Sequence, residues 1–180
     1  AYSDGRVWAV TSTQLLGSFF QGSALRLLKN EGSTITHISL EDRNHGALIS
    51  SSNAYLTYDG GENFRLVRSG SNFLRVYSRS EFSDLWVLSS DGSLAYTTDS
   101  FKSLTSLAVP ASASPIANNS VFTMTSSSTG FLAAGDRIYK TSNNWQTSTS
   151  SSSIGSFEFA HIDEAGNTVA LLSNGTIKQI

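Results

Sequence analysis

Carboxylates, histidines and serine hydroxyls are the side chains in this 180-residue sequence that could do chemistry. Two carboxylates held about 5 to 10 Å apart would cleave a glycosidic bond, one as acid and the other as base or nucleophile. The candidates are Glu41, Asp42, Glu62, Glu81, Asp84, Asp163 and Glu164. Each falls between runs of strand-forming residues, where an acid is ordinarily a solvated turn residue. His37, His45 and His161 lack ligand spacing. His37 and His161 occupy similar places in two of the repeats described below. A metal shared between them would use that placement, but a polar filler at a repeated strand position is the preferred reading. Serine is too abundant for a nucleophile to stand out, and neither a Gly-x-Ser-x-Gly elbow nor a phosphate-cradling glycine loop occurs. The residues therefore predict no catalytic group, no metal ligand and no cofactor, and direct attention to the elements that carry them.

Composition bounds those elements. Hydrophobic residues make up 39% of the chain and charged residues only 14%, with Ser and Thr filling the difference. A formal charge of −2 offers no electrostatic reason to expect nucleic acid or an anionic membrane as partner. No apolar run approaches the roughly 20 residues of a membrane helix, and no signal-like segment opens the chain. Ala1 stands where a removed initiator Met or a cloning boundary would leave it. With no Cys, disulfides, thiolate metal sites and cysteine nucleophiles are excluded. Localisation stays open, with a virion or an extracellular face as the working expectation.

Helical spacing is almost absent. Short β-rich runs alternate instead with Ser, Gly, Asn and Asp turns. One stretch organises the rest: Tyr55-Leu56-Thr57-Tyr58-Asp59-Gly60-Gly61-Glu62-Asn63-Phe64. It reads as the end of one strand, an acidic turn with two residues tolerant of positive φ, and the start of another strand. Thr57 to Phe64 resembles the Asp-box, or bacterial neuraminidase repeat, of pattern Ser/Thr-x-Asp-x-Gly-x-Thr/Asn-Trp/Phe. Thr57, Asp59, Gly61, Asn63 and Phe64 match all five specified positions. A second copy keeps Thr97 and Asp99 but has Phe101 for Gly and Leu104 for the aromatic. A third is read as contracted, with Thr141, Asn143 in place of Asp, and Trp145 as the terminal aromatic. The resemblance implies a β-propeller in which the Asp bonds its own turn and the aromatic packs between sheets. It leaves activity open, because the box occurs in enzymes and non-enzymes alike.

Sialidase chemistry, which the resemblance invites, needs three Arg converging on a carboxylate beside a Tyr/Glu pair. Arg6, Arg26, Arg43, Arg65, Arg68, Arg75, Arg79 and Arg137 fall mostly in loops or on outer strands, and no Arg-Ile-Pro-like segment precedes the first box. A sialidase or glycanase is thus only a remote alternative.

Repeats of the strand pattern predict an all-β fold, a β-propeller of about five short blades with three to four antiparallel strands each. A β-sandwich is the structural alternative. First strands are read at Val7 to Val10, Ile35 to Leu40, Phe73 to Tyr77, Val121 to Thr125 and Phe157 to Ile162. More uniformly apolar second strands follow at Leu15 to Phe20, Ala47 to Ile49, Leu85 to Leu88, Phe131 to Ala134 and Val169 to Leu172. The next turns, at Gly22-Ser23, Ser52-Asn53, Asp91-Gly92, Gly135-Asp136 and Asn174-Gly175, lie roughly 30 to 43 residues apart. Third strands carry Leu25, Tyr55, Tyr96, Tyr139 and Ile177. Fourth strands are drawn at Phe64 to Val67, Leu104 to Val109 and Trp145 to Ser148, with none evident in the first and last repeats. One domain, 1–180, results, with blades over about 6–32, 34–70, 72–110, 120–150 and 156–180. Segments 110–119 and 148–153 break the rhythm as connections.

Tyr55, Tyr96 and Tyr139 hold equivalent positions. They are read as packing between blades, or functionally as sugar or partner contacts. The expected role is a non-enzymatic structural or interaction module, a subunit of a larger assembly such as a virion appendage or decoration protein. Its partners would be other protein subunits. A carbohydrate-binding propeller contacting surface glycans is the alternative.

Overall fold

A strand with one covered face alternates apolar and polar residues, whereas a strand covered on both faces is apolar throughout. Both kinds recur here in a fixed order. The computed structural model describes residues 7–18, 24–70, 72–79, 84–108, 120–162 and 167–179. Among these, eighteen strands form five antiparallel sheets. The first sheet is β1 (Val7–Val10), β2 (Gln14–Ser18) and β3 (Arg26–Asn30). The second is β4 (Ile35–Leu40), β5 (Gly46–Ser50), β6 (Asn53–Thr57) and β7 (Arg65–Ser69). The third is β8 (Phe73–Arg79), β9 (Asp84–Ser89), β10 (Leu94–Thr97) and β11 (Thr105–Leu107). The fourth is β12 (Val121–Met124), β13 (Gly130–Ala134), β14 (Arg137–Thr141) and β15 (Thr149–Ser150). The fifth is β16 (Phe157–Ile162), β17 (Thr168–Leu172) and β18 (Ile177–Gln179). Strands follow one another across every sheet, as hairpin connections require.

Second strands β5 and β13 are buried at every position, while the fourth strand β7 is largely exposed. Leu25 precedes β3 rather than lying in it, and the fourth strand of the fourth sheet starts at Thr149 instead of Trp145. The residues expected at Phe19-Phe20, Gly22-Ser23 and 110–119 lie outside the described ones.

Two units each have their own core: residues 1–87 with 97–104, and residues 88–96 with 105–180. In the first unit, the first sheet sets Trp8, Leu15 and Leu28 against Ile35, Ile38, Leu48 and Tyr55 of the second. The opposite face of the second sheet sets Ala47, Ile49, Ala54 and Leu56 against Phe73, Val76, Leu85, Val87 and Phe101. Hydrogen bonds lace the adjoining first strands: Thr36 Oγ1 donates to the Phe73 carbonyl at 2.9 Å, and Arg75 Nη1 to the Thr36 carbonyl at 3.3 Å. In the second unit, Phe131, Ala133 and Ile138 of the fourth sheet meet Ala170 and Leu172 of the fifth, with Ile154 between.

Leu48 is fully buried between the first two sheets, whereas Leu66 on β7 is half exposed. Leu48→Ala should lower unfolding free energy by about 3 kcal/mol, and Leu66→Ala by about 0.5 kcal/mol or less. Urea unfolding of the two variants checks this; equal losses would contradict the packing described.

Candidate functional site

The polar groups singled out by the sequence come together in three turns that close the third strand of the second, third and fourth sheets. In the first turn, Thr57 ends β6 fully buried, and its Oγ1 donates to Asp59 Oδ1 at 2.8 Å while accepting the Gly61 amide at 2.8 Å. Asp59 Oδ1 also accepts the Asn63 amide at 2.9 Å, and Oδ2 accepts Asn63 Nδ2 at 2.8 Å. The second turn repeats this. Thr97 Oγ1 donates to Asp99 Oδ1 at 2.6 Å, the Ser103 amide to Oδ1 at 2.9 Å, and Ser103 Oγ to Oδ2 at 2.6 Å. In the third turn Asn143 takes the acid's place. Its Oδ1 accepts the Thr147 amide at 3.0 Å, its Nδ2 donates to Thr147 Oγ1 at 2.8 Å, and Thr141 Oγ1 accepts the Trp145 amide at 2.9 Å.

This register corrects the sequence reading of the third turn. It is not contracted: Trp145 stands where the first turn has Gly61 and the second has Phe101, and Thr147 stands where they have Asn63 and Ser103. Backbone geometry agrees. Gly60 and Gly61, Ser100 and Phe101, and Asn144 and Trp145 all have positive φ, between 52° and 92°. Trp145 therefore belongs to the bend, and no fourth strand can start there. A left-handed conformation at Phe101 and Trp145 is unfavourable for an L-residue, and it is offset by burial, since the two are 1% and 0% exposed. Phe101 enters the core between the second and third sheets. Trp145 lies 5.8 Å from Phe122 and donates Nε1–H to Met124 Sδ. At Gly61 the same space is filled from outside the turn. A Cβ there would meet Trp8 at 2.5 Å, and Trp8 in turn meets Phe64 edge-on at 5.9 Å.

The tyrosines are placed differently from a sugar platform. Tyr55 and Tyr139 are buried, at 8% and 1% exposure, and Tyr96 is half-buried. A ring without a free face cannot stack on a sugar, which corrects that expectation for Tyr55 and Tyr139. Tyr55 instead joins a polar staple that sequence reasoning missed. Glu31, its side chain 1% exposed, accepts from Asn53 Nδ2 at 2.8 Å and Ser50 Oγ at 3.0 Å, with Lys29 Nζ at 3.5 Å. Lys29 also sits 4.0 Å above the Tyr55 ring. Burial and the Glu31 carboxylate push the Tyr55 phenol up to about 12, so it is a poor nucleophile at neutral pH. Burial works against the charge on Glu31, but Asn53, Tyr55, Ser50 and Lys29 outweigh it and hold its pKa below the usual value. The lone signal was a Lys-x-Glu at the end of a strand, which is indistinguishable from a surface pair.

The remaining candidates do not converge. Asp42 accepts the amides of Asn44 and His45 and lies 2.6 Å from His45 Nδ1, all within one turn. Glu62 pairs with Arg26 at 3.7 Å in solvent, and Asp84 opens β9 rather than lying in a turn. His37 is pushed down to about 4 by burial and by Arg75, although the Val76 amide on its Nδ1 opposes this. Glu81, Asp163 and Glu164 lie outside the described residues. A cleft of about 150 Å³ beside the third turn is lined by Lys140, Thr141, Ser142, Thr147, Ser148 and Thr149. That is below the roughly 300 Å³ at which small-molecule sites begin.

Two tests follow from the turns. Burial opposes the charge on Asp59, but the Asn63 and Thr57 donors prevail and lower its pKa; Ser103 and Thr97 hold Asp99 lower still. Their stabilisation is complete above the unfolded value of about 3.9 and is lost as pH falls through the folded values. Asp99→Asn should therefore be less stable than wild type at pH 7 yet lose less on acidification below about pH 4, as read from denaturation midpoints. An unchanged acid limb would exclude the assignment. Gly61→Ala should cost about 2 kcal/mol through strain at positive φ and contact with Trp8, and the contact part should vanish in a Trp8→Ala background.

No protein-family model and no curated protein matches the chain. Solved structures do. The chain is similar to YCF48 bound to D1 peptide at 17% identity and a TM-score of 0.64, over 99% of this chain and 54% of that one. It is similar to a GH74 enzyme of Niastella koreensis at 15% identity and a TM-score of 0.73, over 98% of this chain and 35% of that one. The computationally designed Ika4 protein matches at 12% identity and a TM-score of 0.62, over 84% of this chain and 93% of that one. The chain thus spans about half the length of the YCF48 chain and about a third of the GH74 chain. At such identities the likeness is one of fold: five antiparallel sheets of three or four strands, in an all-β chain of the β-propeller class.

Proposed function

We propose that this chain is a non-enzymatic β-propeller module that works by binding other protein subunits, and that its three turns are Asp-boxes. One observation carries the reading. Asp59 and Asp99 each accept donors from their own turn on both carboxylate oxygens, and their pKa values lie below the usual range. Such a carboxylate has no proton to give at neutral pH and little strength as a base. These acids hold strands together, and Asn143 does the same work without a charge. The YCF48 structure, which holds a D1 peptide, supports a protein as the class of partner. A subunit of a larger assembly, such as a virion appendage or decoration protein, is the finer form of this reading, and the low charge and Ser/Thr-rich loops support it.

The likeness to a GH74 enzyme makes hydrolysis the reading to test against. Fluorogenic aryl sialosides and aryl glycosides incubated with the protein should show no release above the buffer blank. Release that scales with protein concentration would sink the non-enzymatic assignment. A glycan array on the same preparation should show no saturable binding; a saturable signal would move the assignment to a lectin.

A further inference from the structure

Apolar side chains left in water are concentrated in two places. Among the described residues nine large hydrophobics are exposed, and seven belong to the first and fifth sheets or directly flank them: Val7, Val10, Leu25, Leu27, Val169, Leu171 and Ile177. The strand registers show which face they occupy. In the first sheet, Ala9 pairs with Leu16 and Leu16 with Leu27, while Val7 pairs with Ser18. Val7, Ala9, Leu16 and Leu27 therefore share one face, opposite the Trp8, Leu15 and Leu28 face that packs on the second sheet; Val10, paired with Leu15, lies at the edge of that packed face. In the fifth sheet, Leu171 pairs with Ile177 and Val169 with Gln179. That face lies opposite Ala170 and Leu172, which pack on the fourth sheet. Each of these sheets thus has one face packed on its neighbour and an opposite face that carries exposed apolar side chains, with Leu27 54% and Ile177 71% exposed.

We infer that the free face of the fifth sheet docks on the free face of the first sheet of a second copy of this chain. The protein's own packing supplies the argument. Between the first and second sheets, the second and third, and the fourth and fifth, the same contact recurs. The later-facing side of one sheet meets the earlier-facing side of the next. The two free faces are one of each kind, so a second copy presents the surface that each lacks, and the contact is head to tail. The inference deepens the subunit reading above by naming the partner.

Size-exclusion chromatography with light scattering tests it on the intact chain. Wild type should run at about twice the 19.3 kDa of one chain. Leu27→Glu and Ile177→Glu should each run as monomers with unchanged far-UV circular dichroism, because both side chains face water within one copy. Mixing the two variants should restore a weaker one-to-one complex, since each retains the face the other has lost. A monomeric wild type would overturn the inference while leaving the non-enzymatic reading to the assays above. So would a dimer that only one of the two variants breaks, which would mean like face on like face.

Discussion

A sheet of three or four short strands has two apolar faces, and water penalises both. Every larger feature of this chain follows from covering them. Leu48 and Ile49 are neighbours on β5, yet one packs towards the first sheet and the other towards the third, and both are fully buried. A strand in that position has no side to turn to solvent, which is why β5 and β13 are apolar or small at nearly every position. Area-proportional burial makes this repeated contact the main favourable contribution. The polar features then have a subordinate task, which is to hold strands at the right spacing for the faces to meet.

The three turns perform that task with similar bonds and different fillings. Each places two consecutive residues at positive φ and ties a buried Thr hydroxyl to an Asp or Asn side chain. The fifth position points into the core, and what occupies it decides where the filling comes from. Phe101 and Trp145 bring their own rings and accept a strained backbone; Gly61 avoids the strain and leaves the space to Trp8. In the second sheet, therefore, the turn takes part in holding the first sheet. The buried Glu31 staple adds a polar tie between the same two sheets, with donors on the second sheet's β5–β6 hairpin answering a carboxylate just beyond β3. A buried carboxylate left unpaired would be costly, so this network also fixes how the two sheets meet.

The chemistry of the fold is consequently turned inward. Asp59 and Asp99 are satisfied within their turns, the enclosed carboxylate of Glu31 is satisfied by its neighbours, and two of the three repeated tyrosines are enclosed. Apolar side chains of the first and fifth sheets are left outward, and the proposed contact between copies rests on them.

Strand positions were legible in the sequence because the period-2 alternation and the turn residues are local. The first strands at Val7 to Val10, Ile35 to Leu40 and Phe157 to Ile162 coincide with β1, β4 and β16. The missing fourth strand of the first repeat was legible for the same reason, since too few residues separate β3 from β4. Alternation also says that β5 has two apolar faces, but not which sheet covers each. That pairing depends on residues tens of positions away, so only the tertiary structure decided that Trp8 lies over Gly61 and that Glu31 is buried. It also decided that Tyr55 and Tyr139 are enclosed rather than offered to a ligand. The third turn shows the limit most clearly: an aromatic after an Asn reads locally as the end of a shortened turn. It is a full turn because a cavity beside Phe122 and Met124 accepts the indole at a backbone angle that local preference disfavours.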